Sequence, residues 1–387
     1  MTRIHCLNNI SKKGTDLLPA SYELVDELAQ AEGILVRSAS LHDVEFPADL
    51  LAIARAGAGV NNIPLDRCAE EGIVVFNTPG ANANAVKELV IAGMLLGSRG
   101  IVDGAIWCRE NADDPNIGKS AEKAKKAFAG REIMGKKLGV IGLGAIGALV
   151  ANAAIELGME VYGYDPYVSV DAAWRLSNAV KHVTNLDDIC SECDYITIHV
   201  PAMDSTKGMI GEHEIELMKS DAVFLNFSRN TLVDESAMVR ALEADQLGRY
   251  VTDFANPTIM GAKNTIILPH LGASTAEAEE NCAVMAVNQL VDFIDNGNIV
   301  NSVNFPACSL GALRPVGQRI TLIHRNTPGV INGVTDAIAQ HGHNLANIVS
   351  KARGDFAYTI IDIDDEVGED ALEKLSAREG IVRVRIL

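Results

Sequence analysis

Short apolar runs bounded by glycine alternate with longer mixed segments over the first 95 residues. The stretches "GILVRSAS" (33–40) and "GIVVFNTPG" (72–80) each combine a strand pattern with a turn, and "LLAIARAGAGVNNI" (50–63) ends in a glycine-rich turn. Strands that alternate with helices form parallel sheets, whose ligands bind at the carboxyl ends of the strands. Residues 1–95 are therefore expected to form one α/β lobe, called the first lobe below.

A second α/β unit follows a segment that is apolar for much of its length. Residues 86–110 predict one long helix, and residues 136–167 then give a strand, a helix and a strand. Further strands are predicted at "DYITIHV" (194–200), "DAVFLNF" (221–227), "RYVTDF" (249–254) and "NTIIL" (264–268). This repeated alternation predicts a second parallel sheet.

The last third of the chain changes pattern twice. After residue 273, apolar residues recur on one helical face, which predicts a helix returning to the first lobe. Residues 305–315 contain proline and glycine with few charges, as a linker would. Residues 316–387 then show strand and helix patterns in the order βαββαβ, which predicts a small ferredoxin-like domain.

Composition and charge exclude several classes of protein. The net charge of −18, with no strongly basic block, argues against nucleic acid or an anionic membrane as a partner. The amino terminus has no apolar signal core, and no run of 18 apolar residues predicts a membrane helix. Seven scattered cysteines include one CxxC pair, Cys190 and Cys193, without the second pair that a zinc site needs. We expect a cytoplasmic protein without a metal.

A GxGxxG motif lies inside the second unit. Gly142, Gly144 and Gly147 follow one predicted strand, and Asp165 ends the next. The glycines permit a tight turn and let a pyrophosphate approach the amino terminus of the following helix, while a carboxylate at Asp165 accepts hydrogen bonds from ribose hydroxyls. The motif alone is weak, and a packing turn is the alternative, but the strand–helix–strand context predicts NAD rather than NADP.

Two further side chains follow strands of the same unit. Arg229, in "NFSRN", could hold a carboxylate and polarise a carbonyl, although a surface ion pair is the alternative. His270, in "PHLGAST", has the pKa range for proton transfer, although a structural histidine before a helix is the alternative. Both would lie at the edge of the sheet that carries the glycine motif.

Taken in order, the glycine motif with Asp165, "HVP" (199–201), "NFSRN" (226–230), "VTDF" (251–254) and "PHLGAST" (269–275) resemble the NAD-dependent D-2-hydroxyacid dehydrogenases over roughly residues 30–305. Within that family, "RSAS", "GVNNIPLD", "SVNFP" and the βαββαβ tail resemble the members that oxidise 3-phospho-D-glycerate. The tail resembles an ACT domain, a regulatory module that binds amino acids. No extra domain separates it from the catalytic lobes, as in the short forms of the enzyme.

The resemblance implies an α/β architecture with a flavodoxin-like first lobe, a Rossmann NAD-binding domain and an ACT domain. The implied boundaries are 1–95 for the substrate lobe, 96–272 for the NAD-binding domain, 273–304 for the returning helix, 305–315 for the linker and 316–387 for the ACT domain.

The resemblance also implies roles for individual residues. Arg229 and His270 would be catalytic, Arg229 by polarising the carbonyl and His270 as the acid/base. The implied cofactor-binding residues are Gly142, Gly144, Ala145, Ile146, Gly147, Asp165, Val200, Pro201, Phe227, Ser228, Asp253, Gly272 and Ala273. The implied substrate-binding residues are Arg37, Ser38, Asn61 and Asn82, and the implied effector-binding residues are His324, Asn326 and Asn344.

One catalytic residue of the family is missing. A glutamate that follows the Asp253 position in the family orients the histidine, but here the turn reads Ala255-Asn256-Pro257-Thr258. Three explanations stay open: a carboxylate such as Asp253 or Glu277 substitutes, His270 works with a neutral partner, or catalysis is weak. We favour the neutral partner. Asn230 also replaces a usual glycine, and asparagine tolerates a positive φ there.

The expected function is oxidation of 3-phospho-D-glycerate with NAD, the first step of L-serine synthesis, with L-serine as effector on the ACT domain. The expected assembly is a homodimer or homotetramer. The alternatives are a reductase of another 2-keto acid, such as hydroxypyruvate or glyoxylate, and a weakly catalytic sensor of NAD or amino acids.

Overall fold

The structure, a computed structural model, describes residues 1–367 and 369–387, apart from the side chains of residues 171 and 369–372. It divides into two compact units. Unit 1 comprises Met1–Asn82 and Ala276–Leu387, and unit 2 comprises Ala83–Thr275. The two parallel sheets and the antiparallel carboxyl-terminal sheet confirm the α/β fold with a small ferredoxin-like domain.

The amino-terminal part of unit 1 is a five-stranded parallel sheet in the order β2-β1-β3-β4-β5. Its elements are β1 (Thr2–Cys6), α1 (Lys12–Thr15), β2 (Tyr22–Val25), β3 (Gly33–Val36), β4 (Ala52–Arg55), α2 (Leu65–Glu70) and β5 (Val74–Phe76). Every residue of β3 is buried, as expected for an apolar run covered on both faces of a parallel sheet. The strand order is flavodoxin-like.

Unit 2 begins with helices and continues into a seven-stranded sheet. The first elements are α3 (Ala83–Ser98), α4 (Ile101–Glu110), α5 (Ile117–Ala124), β6 (Lys137–Ile141), α6 (Ala145–Glu156), β7 (Glu160–Tyr164), α7 (Val170–Ala173), β8 (Lys181–His182), α8 (Leu186–Glu192) and β9 (Tyr195–Ile198). The later ones are α9 (Glu212–Leu217), β10 (Val223–Asn226), α10 (Glu235–Glu243), β11 (Arg249–Thr252) and β12 (Thr265–Ile267). The parallel strands lie in the order β12-β11-β10-β9-β6-β7-β8, as in a Rossmann fold.

The prediction of one long helix over residues 86–110 is wrong, because the chain bends by 69° between α3 and α4. The carbonyl of Ser98 accepts a hydrogen bond from the backbone N–H of Arg131, at 3.0 Å. The N–H of Gly100 donates to the carbonyl of Phe128. These bonds replace the continuation of the helix. Within the described residues no single helix is long and apolar enough to cross a membrane, and α3 with α4 meets that test only as a bent pair.

The rest of unit 1 is a long helix followed by a four-stranded antiparallel sheet. Its elements are α11 (Ala276–Asn296), β13 (Gln318–Arg325), α12 (Val330–Gln340), β14 (Leu345–Arg353), β15 (Phe356–Ile363), α13 (Glu369–Ser376) and β16 (Ile381–Ile386). The strand order is β14-β15-β13-β16. Within the predicted linker, Phe305 and Cys308 are buried, and the backbone of Cys308 pairs with that of Ile299 in an antiparallel β-bridge.

Candidate active site

The glycine motif forms the turn between β6 and α6. Gly142 has a φ of 89°, and a Cβ added at Gly147 would lie 1.9 Å from the carbonyl oxygen of Gly142. Side chains are therefore excluded at both positions. Gly144 precedes the first residue of α6, Ala145, without a side-chain cap, and a Cβ added there would meet no atom within 4 Å. The amino terminus of α6 therefore has no side-chain cap and has open space beside Gly144, which fits a pyrophosphate.

Asp165 lies just beyond β7, beside this turn. Its Oδ2 accepts a hydrogen bond from the N–H of Leu143 and its Oδ1 accepts one from the N–H of Tyr167, both at 2.9 Å. Each carboxylate oxygen can accept more than one hydrogen bond, so ribose hydroxyls can still bind. A fixed negative charge here disfavours the additional phosphate of NADP.

The other sequence-predicted cofactor residues follow strand ends of unit 2. Val200 and Pro201 follow β9, and a Cβ added at Gly142 would lie 2.9 Å from Cγ1 of Val200. Phe227 and Ser228 follow β10, where the hydroxyl of Ser228 donates to the carbonyl of Ile198. Three more lie elsewhere in unit 2: Ile146 in α6, and Gly272 and Ala273 after β12. Parallel strands bring these ends to one edge of the sheet.

Asp253, after β11, carries a buried acceptor with an open position. The residue is 1% exposed, and its Oδ2 accepts the N–H of Gly272 at 2.8 Å. Its Oδ1 has no hydrogen-bond partner among the described residues. Burial raises the pKa of Asp253, while the nearby charges of His270 and Arg229 oppose that rise. A buried acceptor without a partner is costly, and the amide group of a nicotinamide would satisfy it.

His270 is held by its backbone and by an aromatic neighbour. Its φ is 46°, in the left-handed region, and its N–H donates to the carbonyl of Asp253 at 2.8 Å. The imidazole packs against Phe254 with ring centroids 5.0 Å apart. The exposed ring borders a cleft of about 250 Å³, lined by Asn230, Asp253, Phe254, Ala255, Asn256, Pro269 and His270. Proton transfer to or from a small molecule in this cleft is sterically possible.

Asn256, in the turn of residues 255–258 that resembles the family's glutamate segment, has its amide engaged. Its Oδ1 accepts the N–H of Thr258, and its Nδ2 donates to Oε1 of Glu235 and to the carbonyl of Phe254. Both donors of the amide are therefore used. Of the residues lining the His270 cleft, Asp253 is the one carboxylate.

Arg229 extends from the end of β10. The residue is exposed, its guanidinium donates to the carbonyl of Ser228, and its own carbonyl accepts from Nδ2 of Asn226. Asn230 opens a short 3₁₀ helix, and it is not among the non-glycine residues with positive φ. The backbone at position 230 therefore does not need the positive φ that would favour glycine.

In unit 1, Arg37 and Ser38 follow β3. The N–H groups of Arg37, Ser38 and Ala39 all donate to Oδ1 of Asn8, at 3.0–3.1 Å. These three hydrogen bonds to one side chain hold the backbone after β3 in one conformation. The guanidinium of Arg37 pairs with Glu279 at 2.7 Å.

The two other sequence-predicted substrate residues lie in turns. Asn61 is exposed, with its carbonyl near the ring of His42, and Asn82 is half-buried in the turn before α3. The structure does not join either of them to Arg37 through a hydrogen bond within the described residues.

Sequence reasoning missed two cations in unit 1. Arg55 ends β4 in register with Val36, and its Nε donates to the carbonyl of Arg37 at 3.0 Å. Lys13 pairs with Glu280 at 2.5 Å. Arg55 could have been found from the pattern, because "AIAR" and "ILVR" place an arginine at the ends of two parallel strands. Lys13 had no such signal.

The three candidate effector residues lie apart in one chain. His324 is 3% exposed, and its ring nitrogens face the carbonyl of Arg325 and the hydroxyl of Thr359. Burial lowers the pKa of His324. Asn326 follows β13 and donates to the carbonyl of Gly354, whereas Asn344 precedes β14 and donates to Asp364. The register places the two asparagines at opposite ends of β15, roughly 23 Å apart.

Comparison with known proteins places this geometry in a family. Residues 91–272 match the family described as "D-isomer specific 2-hydroxyacid dehydrogenase, NAD binding domain", and residues 319–380 match the ACT domain. D-3-phosphoglycerate dehydrogenase of Escherichia coli K12 is 35% identical over 375 residues, which are 92% of this chain and 86% of that protein. The Haemophilus influenzae enzyme of the same name is 32% identical over 89% of this chain and 83% of that protein.

A solved structure agrees. The NAD⁺-bound 3-phosphoglycerate dehydrogenase of Entamoeba histolytica is 27% identical, with a TM-score of 0.62 over 78% of this chain and 98% of that one. The expected cofactor and enzyme class are thereby confirmed. The chain belongs to the D-isomer-specific 2-hydroxyacid dehydrogenases, in the group of the D-3-phosphoglycerate dehydrogenases, and is an NAD-dependent oxidoreductase.

Proposed function

We propose that the protein oxidises 3-phospho-D-glycerate with NAD to 3-phosphohydroxypyruvate, the first step of L-serine synthesis. The observation that carries this proposal is the similarity to enzymes of that name over 92% of the chain, including the tail. The cysteines, all unpaired, support a cytoplasmic location, since reducing compartments keep thiols free.

Cations in unit 1 support a phosphorylated substrate. The acidic chain as a whole repels anions, so a phosphate needs a local group of positive charges. Arg55 ends β4, Arg37 directly follows the adjacent parallel strand β3, and Nε of Arg55 donates to the carbonyl of Arg37. Guanidinium groups bind phosphate through paired, charged hydrogen bonds. We assign the phosphate end of the substrate to these two arginines.

The chemistry is assigned to unit 2. The glycine turn and Asp165 would hold NAD, which would supply the hydride acceptor for the carbon that carries the hydroxyl. Arg229 holds the substrate carboxylate and stabilises negative charge on the oxygen as the carbonyl forms. His270 takes the hydroxyl proton, so that the C–H and O–H bonds both break and a C=O bond forms. Asp253 keeps a negative charge near the imidazole and binds the cofactor amide.

The partner that we propose for the imidazole of His270 is a carboxylate, whereas the sequence favoured a neutral partner. Asn256 has both amide donors engaged in the turn, whereas Asp253 carries an unpaired buried oxygen in the same cleft. A carboxylate stabilises the imidazolium that forms after proton transfer more than an amide does. We therefore propose that Asp253 supplies the charge that the family obtains from its glutamate.

We also propose L-serine as effector of the ACT domain. Because Asn326 and Asn344 lie at opposite ends of the sheet, one small amino acid reaches both only if two copies of the domain supply one residue each. This supports a homodimer or homotetramer. His324 would then support the site from within the sheet. Calorimetry with L-serine on the wild type and on Asn326→Ala tests the assignment, and absence of heat with wild type at millimolar serine would end it.

A turnover assay tests the proposed reaction. NADH formation is measured with 3-phosphoglycerate, D-glycerate and D-lactate, and NADH consumption with hydroxypyruvate and glyoxylate. We expect 3-phosphoglycerate to have the highest kcat/KM. Arg55→Met should lower the kcat/KM for 3-phosphoglycerate but leave the kcat/KM for D-lactate, which has no phosphate, unchanged. A higher kcat/KM with hydroxypyruvate or glyoxylate would contradict the proposed reaction and favour the alternative function, reduction of another 2-keto acid.

Variants test the two catalytic assignments. His270→Ala should lower kcat with NADH binding unchanged, whereas His213→Ala, which removes an exposed imidazole from α9, should leave kcat unchanged. Arg229→Ala should lower kcat/KM roughly 10- to 150-fold, the loss expected for one charged hydrogen bond. The exposed Arg240→Ala serves as its control. Wild-type turnover in His270→Ala would exclude the acid/base role.

A further inference from the structure

The substrate cation Arg37 already holds a carboxylate. Glu279, in the first turns of α11, pairs with it at 2.7 Å, and the two side chains are 39% and 44% exposed. An anionic substrate can therefore reach the guanidinium, but it must displace Glu279 to obtain the full charge. The next residue, Glu280, pairs with Lys13 in the same way. The amino-terminal end of α11 thus competes with anions for two cations of unit 1.

The other end of α11 is capped by the ACT domain. The guanidinium of Arg385 donates to the carbonyls of Phe293 and Ile294, and that of Arg319 donates to the carbonyl of Asn296 at 2.8 Å. The hydroxyl of Tyr358 donates to the carbonyl of Gly297 at 2.7 Å. The last carbonyls of a helix lack hydrogen-bond donors within the helix. Side chains of β13, β15 and β16 therefore donate to the carbonyls at the carboxyl-terminal end of α11.

The two ends are joined by a packed helix. Glu279 and Asn296 are about 25 Å apart along the axis of α11. Between them, Ala286, Val287 and Leu290 are fully buried against the first sheet. A Cβ added at Gly14, next to Lys13, would lie 2.6 Å from the backbone of Ala283, so α1 rests directly on the helix. The packed helix therefore connects the pair of Glu279 and Arg37 to the carbonyls that the ACT domain caps.

We propose that Glu279 sets the affinity for the anionic substrate by competing for Arg37, and that the ACT domain controls this competition through the caps on α11. The inference rests on the proposed function only in identifying the anion as the substrate. When the caps hold α11 as seen here, Glu279 neutralises Arg37. When the ACT domain releases or shifts α11, Arg37 becomes available.

The first experiment removes the competing charge. Glu279→Gln keeps the size of the side chain, and we expect the KM for 3-phosphoglycerate to fall roughly two- to fivefold, the range for an exposed ion pair, with kcat unchanged. Glu23→Gln, an exposed charge change on β2, is the control for net charge and should leave KM unchanged. An unchanged or higher KM in Glu279→Gln overturns the competition.

The second experiment tests the link to the ACT domain. Tyr358→Phe deletes the hydroxyl that caps Gly297 but keeps the buried ring. We expect it to lower the KM in the wild-type background and to have no further effect in Glu279→Gln, because the cap would act through Glu279 alone. Equal effects in both backgrounds would show that the cap acts by another route and would overturn the coupling.

Binding of inorganic phosphate separates this inference from the proposed function. Calorimetry on the full chain should show tighter phosphate binding in Glu279→Gln than in the wild type, and Arg37→Met should abolish the difference. This holds whether or not 3-phosphoglycerate is oxidised. Turnover without any change in phosphate affinity or KM rejects the role of Glu279, whereas tighter phosphate binding without turnover rejects the proposed substrate.

Discussion

Asp253 combines near-complete burial with an acceptor that no described residue satisfies. Burial of a carboxylate raises its pKa, because the charged form loses its hydration. Such a group is unfavourable for folding in the absence of ligand. Its Oδ2 accepts the N–H of Gly272, so the unsatisfied Oδ1 is held in the cleft beside His270, where the proposed cofactor and proton-transfer roles place it.

Asp253→Asn should therefore have opposite effects on stability and on function. The raised pKa means that the native state gains stability as the group is neutralised, so an uncharged amide should not lower the urea midpoint at pH 7. Loss of the charged acceptor should weaken NADH binding by about 1.5–3 kcal/mol. Fluorescence titration and urea unfolding measure the two effects. Asp103→Asn, on exposed α4, is the control, and a lowered midpoint with normal NADH binding would contradict the interpretation.

His199 lies directly after β9, against the glycine turn. Burial lowers its pKa to about 3, its Nε2 faces the hydroxyl of Thr197, and its Nδ1 has no partner among the described residues. The folded state therefore keeps this imidazole neutral at pH values where the unfolded state binds a proton.

The expected consequence is a loss of stability as the pH falls from about 6.5 toward 3, by at most about 1.4 kcal/mol per pH unit. Above pH 6.5 the imidazole is neutral in both states and contributes no slope. Urea unfolding at pH 7.5, 6.0 and 5.0 should show a smaller decline in His199→Gln than in the wild type. Parallel declines in both proteins would assign the acid sensitivity to other groups.

At the scale of elements, two glycines in the turn between β6 and α6 have different structural roles. Gly147 allows the helix to approach the carbonyl of Gly142, whereas Gly144 keeps space open in front of the helix. Neither requirement is visible in the spacing of the motif itself.

Alanine substitutions should distinguish these roles. Gly147→Ala places a methyl group where 1.9 Å separates it from an oxygen, and we expect a lower melting temperature with poor cofactor binding. Gly144→Ala meets no protein atom within 4 Å, so the melting temperature should stay within a few degrees while NADH affinity falls. Thermal unfolding with and without NADH measures both. Normal NADH binding by Gly144→Ala would mean that the pyrophosphate does not approach this position.

At the scale of the whole molecule, a buried ion pair holds the tail within unit 1. Arg319 and Asp362 are 1% and 4% exposed at their side chains and form two hydrogen bonds, at 2.7 and 3.1 Å. Arg319 also donates to the carbonyls of Asn296 and Gly311. One guanidinium thus connects the ACT sheet, the segment before it and the end of α11.

Asp362→Asn should leave the Arg319 charge buried without a counterion and should lower the free energy of unfolding by about 3–5 kcal/mol. The matched control is Asp364→Asn, which breaks the exposed pair between Asp364 and Arg314, at 3.0 Å, and should cost less than about 1 kcal/mol. Urea unfolding of the full chain measures both. Similar costs for the two variants would show that the buried pair is not important for holding the tail.

Local patterns determined most of the elements of unit 2. Apolar runs, glycine turns and residues at strand ends are local features, and parallel strands bring their carboxyl ends together. The sequence therefore predicted the two α/β lobes, the βαββαβ tail and the glycine turn, whereas the roles of Asp165, Arg229 and His270 stay predictions. The helix over residues 86–110 failed because its end is decided by hydrogen bonds to residues 128 and 131, which lie far along the chain.

Contacts between distant segments were decided by the tertiary structure alone. The sequence could not show that Asn256 has its amide engaged with Glu235, that Glu279 faces Arg37, or that Arg385 caps α11. Each of these depends on which surfaces pack together, because hydrogen bonds and ion pairs act over a few ångströms, whereas the partners here are 21, 242 and 92 residues apart in the sequence. Local sequence specified the groups, and packing selected their partners.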